Sequence, residues 1–383
     1  MQDPPMPPRM KIGEGRISGA VSIVFGAIAL GGVLCFHFPE LLTTPEFRAQ
    51  YDLDVMRGIL AGCLLVTYSC ALRSLIANVR KRAGLIGGAL ATAALLLGGA
   101  GVEVGPVGDS RFYLSVDWLL LDLIAMALIF VPLELFFPQR ADQTRFHPEW
   151  RTDLAYFVVA HLFVQGIAAM SEQPVRLFLT GVADSLDAVR ATVAGLPFVL
   201  QVFLALLSAD LCQYGLHRLF HEVPFLWRFH AVHHSTRSMD WLAGSRQHLV
   251  DVVGTRVFVY LPLFALGFSP AVFYVYVGIV AIHAVLNHTN VRLRYGWLEK
   301  LIVSPRIHHW HHAHDPAAYD KNFCVHFSWI DRLFGTYYAP GDEWPERTGL
   351  DDASFPRGFL AQQVDPFVRD PFEGAPAGPE STR

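Results

Sequence analysis

Residues 17–38 carry no charged side chain. A helix of that length rises about 33 Å at ~1.5 Å per residue, enough to cross the ~30 Å hydrocarbon core of a bilayer. In lipid the backbone must satisfy its own polar groups, so such a run forms a helix. Similar runs follow at 58–72, 83–101, 116–137, 154–170 and 196–214. Two more, 252–268 and 270–286, meet at Ser269-Pro270 and read either as two spans or as a re-entrant hairpin. Asp122 lies inside the fourth run and needs a partner or a wet pocket there. The first run resembles a leader peptide only in position; its length and the spans behind it make it an uncleaved first helix. The expected fold is all-α, a polytopic transmembrane helical bundle. A mean hydropathy of +0.34 with 17% charged residues agrees with that and disagrees with an ordinary water-soluble surface.

Basic residues orient the bundle. Arg9, Lys11 and Arg16 precede the first run, Arg73, Arg80, Lys81 and Arg82 follow the second, and Arg140, Arg145 and Arg151 follow the fourth. The alternate loops hold only Arg48 and Arg57, then Arg111, then Arg176 and Arg190. The positive-inside rule therefore puts the N-terminus, and the loops beyond the sixth run, on the cytoplasmic face. Those loops also carry Arg218, Arg228, Arg237 and Arg246. A net charge of -4 gives no reason to expect a nucleic-acid partner. Five scattered cysteines without a CxxC pair exclude a cysteine-ligated zinc or iron–sulfur site.

Histidine is the anomaly. Fourteen of the seventeen lie between His217 and His326. His217 and His221 stand four apart at the end of the sixth run, so a helix aims both rings at one point. His230, His233 and His234 offer spacings of three and four on a second face. His283 and His288 close the hairpin, and His308, His311 and His312 repeat the HxxHH pattern. These ten candidate ligands exceed what one metal takes, whereas two metals of four to six coordinations use them. Imidazole suits iron, zinc, copper and nickel, and a set rich in imidazole and free of thiolate suits a redox metal with open positions. His309, next to His308, is expected to point away to the surface; His314 and His326 are expected at the surface or behind the ligands. His248 is balanced between backing a ligand and no role, and the isolated His37, His147 and His161 have no assigned function.

Three other readings compete. A membrane zinc hydrolase would use three or four ligands and lacks its HExxH here. A metal transporter would carry its ligands at mid-membrane depth, and these gather at span ends. A di-haem cytochrome needs single axial histidines on facing helices.

The same residues resemble the fatty acid hydroxylase/sterol desaturase superfamily. The resemblance covers about half the chain, residues 150–340, through WRTDLAYF, HRLFHEVPFLWRFHAVHHS, NHTNVRLRYG, SPRIHHWHH, DKNF and DRLFGTYY. It implies a non-haem di-metal membrane enzyme that uses O2 to hydroxylate or desaturate a lipid, with two iron ions as cofactor and zinc able to substitute in a purified sample. It matches His217, His221, His230, His233, His234, His288, His308, His311 and His312 to ligand positions. Glu222 is similar to the acidic residue of the alkylglycerol monooxygenases, and Asp210 matches a polar position able to orient a ligand. Leu249 departs from the pattern, which often has proline there.

The lipid chain is expected in a slot between 196–214 and 252–286. Electrons must arrive from an external reductase, ferredoxin or cytochrome, since no CxxCH or strand-borne GxGxxG is present; Arg218, Arg228 and Arg237 could dock it. The expected domains are an N-terminal region of three helices (1–112), a catalytic domain (113–340) and a soluble, partly disordered tail (341–383).

Overall fold

The computed structural model describes residues 15–77, 81–108, 112–350 and 354–368. Arg9, Lys11, Arg80 and Arg111, used above to orient the chain, lie outside those segments. Among the described residues the regular structure is helical, with two isolated bridges, Pro138–Val291 and Ala313–Thr348. The chain forms two compact units. One comprises Met1–Ala125 and His161–Gln165, the other Met126–Ala160 and Gly166–Arg383.

In the first unit, α1 (Arg16–His37), α2 (Leu53–Ala77) and α3 (Arg82–Leu96) pack around Ala29, Val33, Leu60 and Ala91. Small residues let α1 and α3 touch: a Cβ on Gly87 would fall 2.6 Å from the Ser22 backbone. Close approach of this kind is how helices gain packing energy where lipid offers no hydrophobic drive. Helix α4 (Val116–Phe136) begins in this unit. Its Asp122 finds its partner in His161, whose Nε2 lies 2.9 Å away.

The fifth expected span is broken. Helices α5 (Trp150–Leu162) and α6 (Val164–Thr180) meet at 64°. Then follow α7 (Ala183–Ala194), α8 (Phe198–Glu222), α9 (Pro224–His234), α10 (Leu249–Leu266), α11 (Pro270–His288), α12 (Pro305–His311) and α13 (Phe359–Val368). Among the described residues seven helices are long and apolar enough to cross a membrane, and the bent pair would make an eighth. Two contacts at opposite ends of the second unit favour a crossing by that pair. Asp153, at the start of α5, bonds Arg246 beside the histidines. Arg190 of α7 bonds the carbonyl of Ala265 at the far end of α10. The chain has therefore travelled the length of α10 between residues 153 and 190.

The 252–286 region resolves into two full helices, α10 and α11, with Gly267 at φ 69° closing α10 and Ser269 capping Val272 N–H at 3.4 Å. At 18 and 19 residues each rises about 27–29 Å, close to the ~30 Å of one hydrocarbon core. The faces of α8, α10 and α11, the segments expected to line the lipid slot, meet in a core of Ala205, Ala209, Leu263, Val272 and Tyr276.

The segment expected to be a soluble tail is packed as far as it is described. Trp310 donates to Glu343 O at 2.9 Å, His314 N–H to Arg347 O at 3.0 Å, and α13 reaches His248, whose Nε2 bonds Gln363 O at 2.9 Å.

Candidate metal centre

The first turn of the site is made by a proline. Val223, held extended ahead of Pro224, ends α8 and restarts the chain as α9. The two helices fold against each other and face His217 and His221 towards His230, His233 and His234. Ser304 and Pro305 start α12 in the same way, with the Ser304 hydroxyl accepting from Ile307 N–H at 3.3 Å. Helix α11 delivers His288 as its last residue.

Nine imidazoles converge in two groups. His217, His221, His230, His234 and His311 form one; His233, His288, His308 and His312 form the other. Within each group the inward ring nitrogens lie within 4.8 Å of one another. The groups touch through His234 and His312, whose rings stack at 4.4 Å. Eight of the nine are buried and His221 nearly so.

The outward ring nitrogens decide the tautomers. Nδ1 of His217 donates to Phe323 O at 2.7 Å, that of His233 to Arg246 O at 3.0 Å, that of His288 to Ala284 O at 2.8 Å and that of His311 to Lys321 O at 2.7 Å. Nδ1 of His230 faces the Asp251 carboxylate at 2.8 Å. Because a carbonyl only accepts, Nδ1 carries the proton and Nε2 presents a lone pair. Yet Nε2 of His217 lies 2.9 Å from Nε2 of His230, and Nε2 of His233 lies 3.2 Å from that of His288. Neither pair has a proton to share. Nε2 of His221, His234 and His311 has no hydrogen-bond partner among the described residues. Burial first, and neighbouring imidazoles second, push His234, His308, His311 and His312 well below the ordinary histidine range, so a proton on the ring is disfavoured. Inward lone pairs about 3 Å apart match the edges of a coordination shell with metal–nitrogen bonds of roughly 2.1 Å. The donor set fits bound metal.

The loops that hold these acceptors explain two of the sequence motifs. In DKNF, Asp320 and Asn322 adopt φ 56° and 59°, which short polar side chains tolerate. The alternation turns the carbonyls of Lys321 and Phe323 onto His311 and His217. Asp331 of DRLFGTYY accepts from Phe323 N–H at 2.8 Å and Cys324 N–H at 3.0 Å, bracing the same loop. The NHTN segment is pinned by Glu134, whose Oε1 accepts from Asn290 N–H at 3.1 Å and Trp241 N–H at 2.9 Å.

His283 is not brought to either group. Its Nε2 donates to Val303 O at 2.9 Å and its Nδ1 meets His326 Nδ1 at 2.8 Å. Asp210 touches no ring; it is fully buried and accepts from the backbone N–H groups of Val325, His326 and Phe327. Glu222 ends α8 at the surface, paired with Arg218 at 2.6 Å. His309 does point away, but into the interior, with Nε2 on Thr289 O at 3.1 Å; burial drives it down to about 3. His248 caps α10 by accepting from Val250 N–H at 3.0 Å.

Asp251 escaped the sequence reading, although a carboxylate in the first turn of an apolar span was the available signal. So did a buried network behind His233. Arg246 is buried rather than a surface cation, and it bonds Asp153 at 2.6 Å and Glu149 at 2.8 Å. His147 joins the network, 3.4 Å from Asp153 and 3.2 Å from Asp240.

A buried set of nine inward-facing imidazoles at the end of an apolar helical bundle defines a multi-pass membrane protein of the histidine-cluster kind. Residues 202–336 match the fatty acid hydroxylase family. The match agrees with the superfamily that the motifs resemble. Ornithine lipid hydroxylase OlsE of Rhizobium tropici is 35% identical over 174 residues, 45% of this chain and 52% of that protein. Alkylglycerol monooxygenase of Danio rerio is 33% identical over 141 residues, 37% and 31% of the two. The Delta(7)-sterol 5(6)-desaturase ERG3B of Gibberella zeae is 31% identical over 142 residues, 35% and 40% of the two. The chain thus spans about half of the first relative and less of the others. No solved structure matches it.

Proposed function

We propose that this chain is an O2-dependent lipid hydroxylase whose two histidine groups hold two iron ions, five imidazoles on one and four on the other. The observation that carries this reading is the pairing of unprotonated Nε2 atoms, 2.9 Å apart at His217–His230 and 3.2 Å at His233–His288. Buried lone pairs facing each other repel, and a cation between them turns that cost into two bonds. Nine ligands are fewer than two six-coordinate ions take, which leaves positions for small molecules. Thiolate is absent from both groups.

When bound, the iron pair supplies the reductive activation of O2 needed to attack an aliphatic C–H bond. The protein's own share is placement and dryness. Four backbone carbonyls and Asp251 set the tautomers of five of the nine imidazoles, and burial keeps the rings neutral and water out. Hydroxylation consumes one O2, two electrons and two protons, and yields the alcohol and one water. The electrons come from an external protein donor, for which half-buried Arg218 and Arg228 offer a basic approach. Desaturation of the same lipid is the alternative outcome, with identical electron demand and a second water in place of the alcohol. The relatives include both kinds of enzyme by name. The substrate class is a membrane lipid with a long alkyl chain, and the histidine end faces the cytoplasm by the distribution of basic residues.

Metal content tests the proposal. Iron and zinc per chain are measured on the purified protein beside His234→Ala and His312→Ala, one ligand from each group. Two irons in the parent, with a loss in each variant, supports it. One zinc, or metal unchanged in both variants, reopens the hydrolase and transporter readings.

A further inference from the structure

The first unit contains an apolar slot whose lining holds none of the nine imidazoles. It runs between α1 from Ile28 to Phe36, α2 from Leu53 to Cys63 and α4 from Asp117 to Ile124. Along α1 that is about 12 Å and along α2 about 15 Å at ~1.5 Å per residue. One end is polar. Asp117, Arg48 and Tyr51 line it where the chain turns from α1 into α2 and where α4 begins.

Asp117 is 5% exposed. Its Oδ1 accepts from Trp118 N–H at 2.8 Å and from Thr44 N–H at 3.0 Å and hydroxyl at 3.4 Å. Its Oδ2 finds no donor at hydrogen-bond geometry among the described residues. The Tyr51 hydroxyl stands beside the same carboxylate as a side-chain donor of this end. A buried carboxylate oxygen left open is costly unless something from outside donates to it. Arg48, which holds the turn through Pro39 O and Thr43 Oγ1 at 3.0 Å each, puts the opposite charge at the same end.

We propose that this slot binds a neutral, hydroxyl-headed lipid, its alkyl chain between α1, α2 and α4 and its hydroxyl on Asp117 Oδ2 and Arg48. A hydroxyl both donates and accepts, so it satisfies the carboxylate and the guanidinium together. An anionic head meets Asp117 as a like charge and a cationic head meets Arg48 as one. The polar end lies at helix termini and the apolar part along the helices, the sense in which a lipid enters a bilayer.

The test uses the full chain in phosphatidylcholine nanodiscs with two photoactivatable probes of equal chain length, a fatty alcohol and a fatty acid. The alcohol is expected to label peptides containing Ile28–Phe36 or Leu120–Ile124, and unlabelled alcohol to displace it. Gly32→Phe plugs the slot without touching the polar end; a Cβ there meets Leu60 at an ordinary 3.5 Å. It is expected to lower labelling by about tenfold, a loss of ~1.4 kcal/mol. Asp117→Ala should lower alcohol labelling and narrow the gap between the probes. Fatty acid labelling as strong as that of the alcohol in the unaltered chain overturns the proposal. So does label spread evenly over the lipid-facing helices, or left unchanged by Gly32→Phe or by the unlabelled alcohol.

Discussion

Asp251 Oδ2 lies 2.8 Å from Nδ1 of His230, the one imidazole of the nine whose outer nitrogen meets a buried carboxylate where four others meet a carbonyl. Oδ1 of the same carboxylate accepts from the Thr255 hydroxyl at 3.2 Å, so its orientation is set. A carboxylate behind a ligand makes the imidazole more basic than a carbonyl does. Asp251→Asn is therefore expected to weaken metal retention in the five-histidine group by roughly 10–100-fold. Iron remaining after dialysis against a graded chelator measures this, and unaltered retention removes Asp251 from the site.

His283 and His312 both stood among the ten candidate ligands, His283 without a match in the family pattern, and they are expected to part company in the protein. His283→Ala removes a ring bonded to Val303 O and His326 and should leave the metal content intact, with a modest loss of thermal stability. His312→Ala should empty the four-histidine group. Elemental analysis of the two purified variants decides it; loss of metal from His283→Ala would restore that residue as a ligand.

Asp153→Ala leaves the guanidinium of Arg246 buried with Glu149 as its remaining carboxylate partner. Breaking a buried ion pair from one side costs about 3–5 kcal/mol. The backbone carbonyl of Arg246 also holds His233, so the same variant should loosen metal at the four-histidine group. Thermal unfolding in detergent reads the first effect and metal content the second. Asp153→Asn, which keeps an acceptor, should recover part of both.

The metal-free protein should be acid-sensitive. His309 and His326 are driven by burial to about 3 and about 4, below their unfolded value of about 6.5. A lowered folded value means that the unfolded chain binds protons first. The stability these rings permit is complete above pH ~6.5 and falls as the pH drops from there towards the folded values. His234, His311 and His312, also lowered by burial, add to the same slope. Urea midpoints between pH 7.5 and 5 check it; a flat profile would mean that water reaches these rings.

Much of this was legible in the chain. Apolar runs with nowhere to put a polar backbone except inside a helix dictate the all-α bundle, and HxxxH and HxxHH spacings set rings on one face of a helix whatever surrounds it. Nine of ten candidate ligands meet because that periodicity is local. His283 has the same residue type and an equally apolar neighbourhood, but it stands five residues before His288, and that spacing turns its ring off the face that carries His288. Asp122 and His161 read as separate oddities until the fold set them 2.9 Å apart.

What only the tertiary structure decided is the far side of each ring. Which nitrogen of His217 or His311 carries the proton depends on carbonyls a hundred or ten residues away, aimed by two left-handed residues in DKNF. Arg246 resembled a surface anchor by composition and is a buried support, because Asp153 and Glu149, almost a hundred residues earlier, come to meet it. Helical periodicity is a property of neighbours along the chain, so sequence carries it. Hydrogen-bond partners across the fold depend on where distant segments arrive, and no local pattern encodes that.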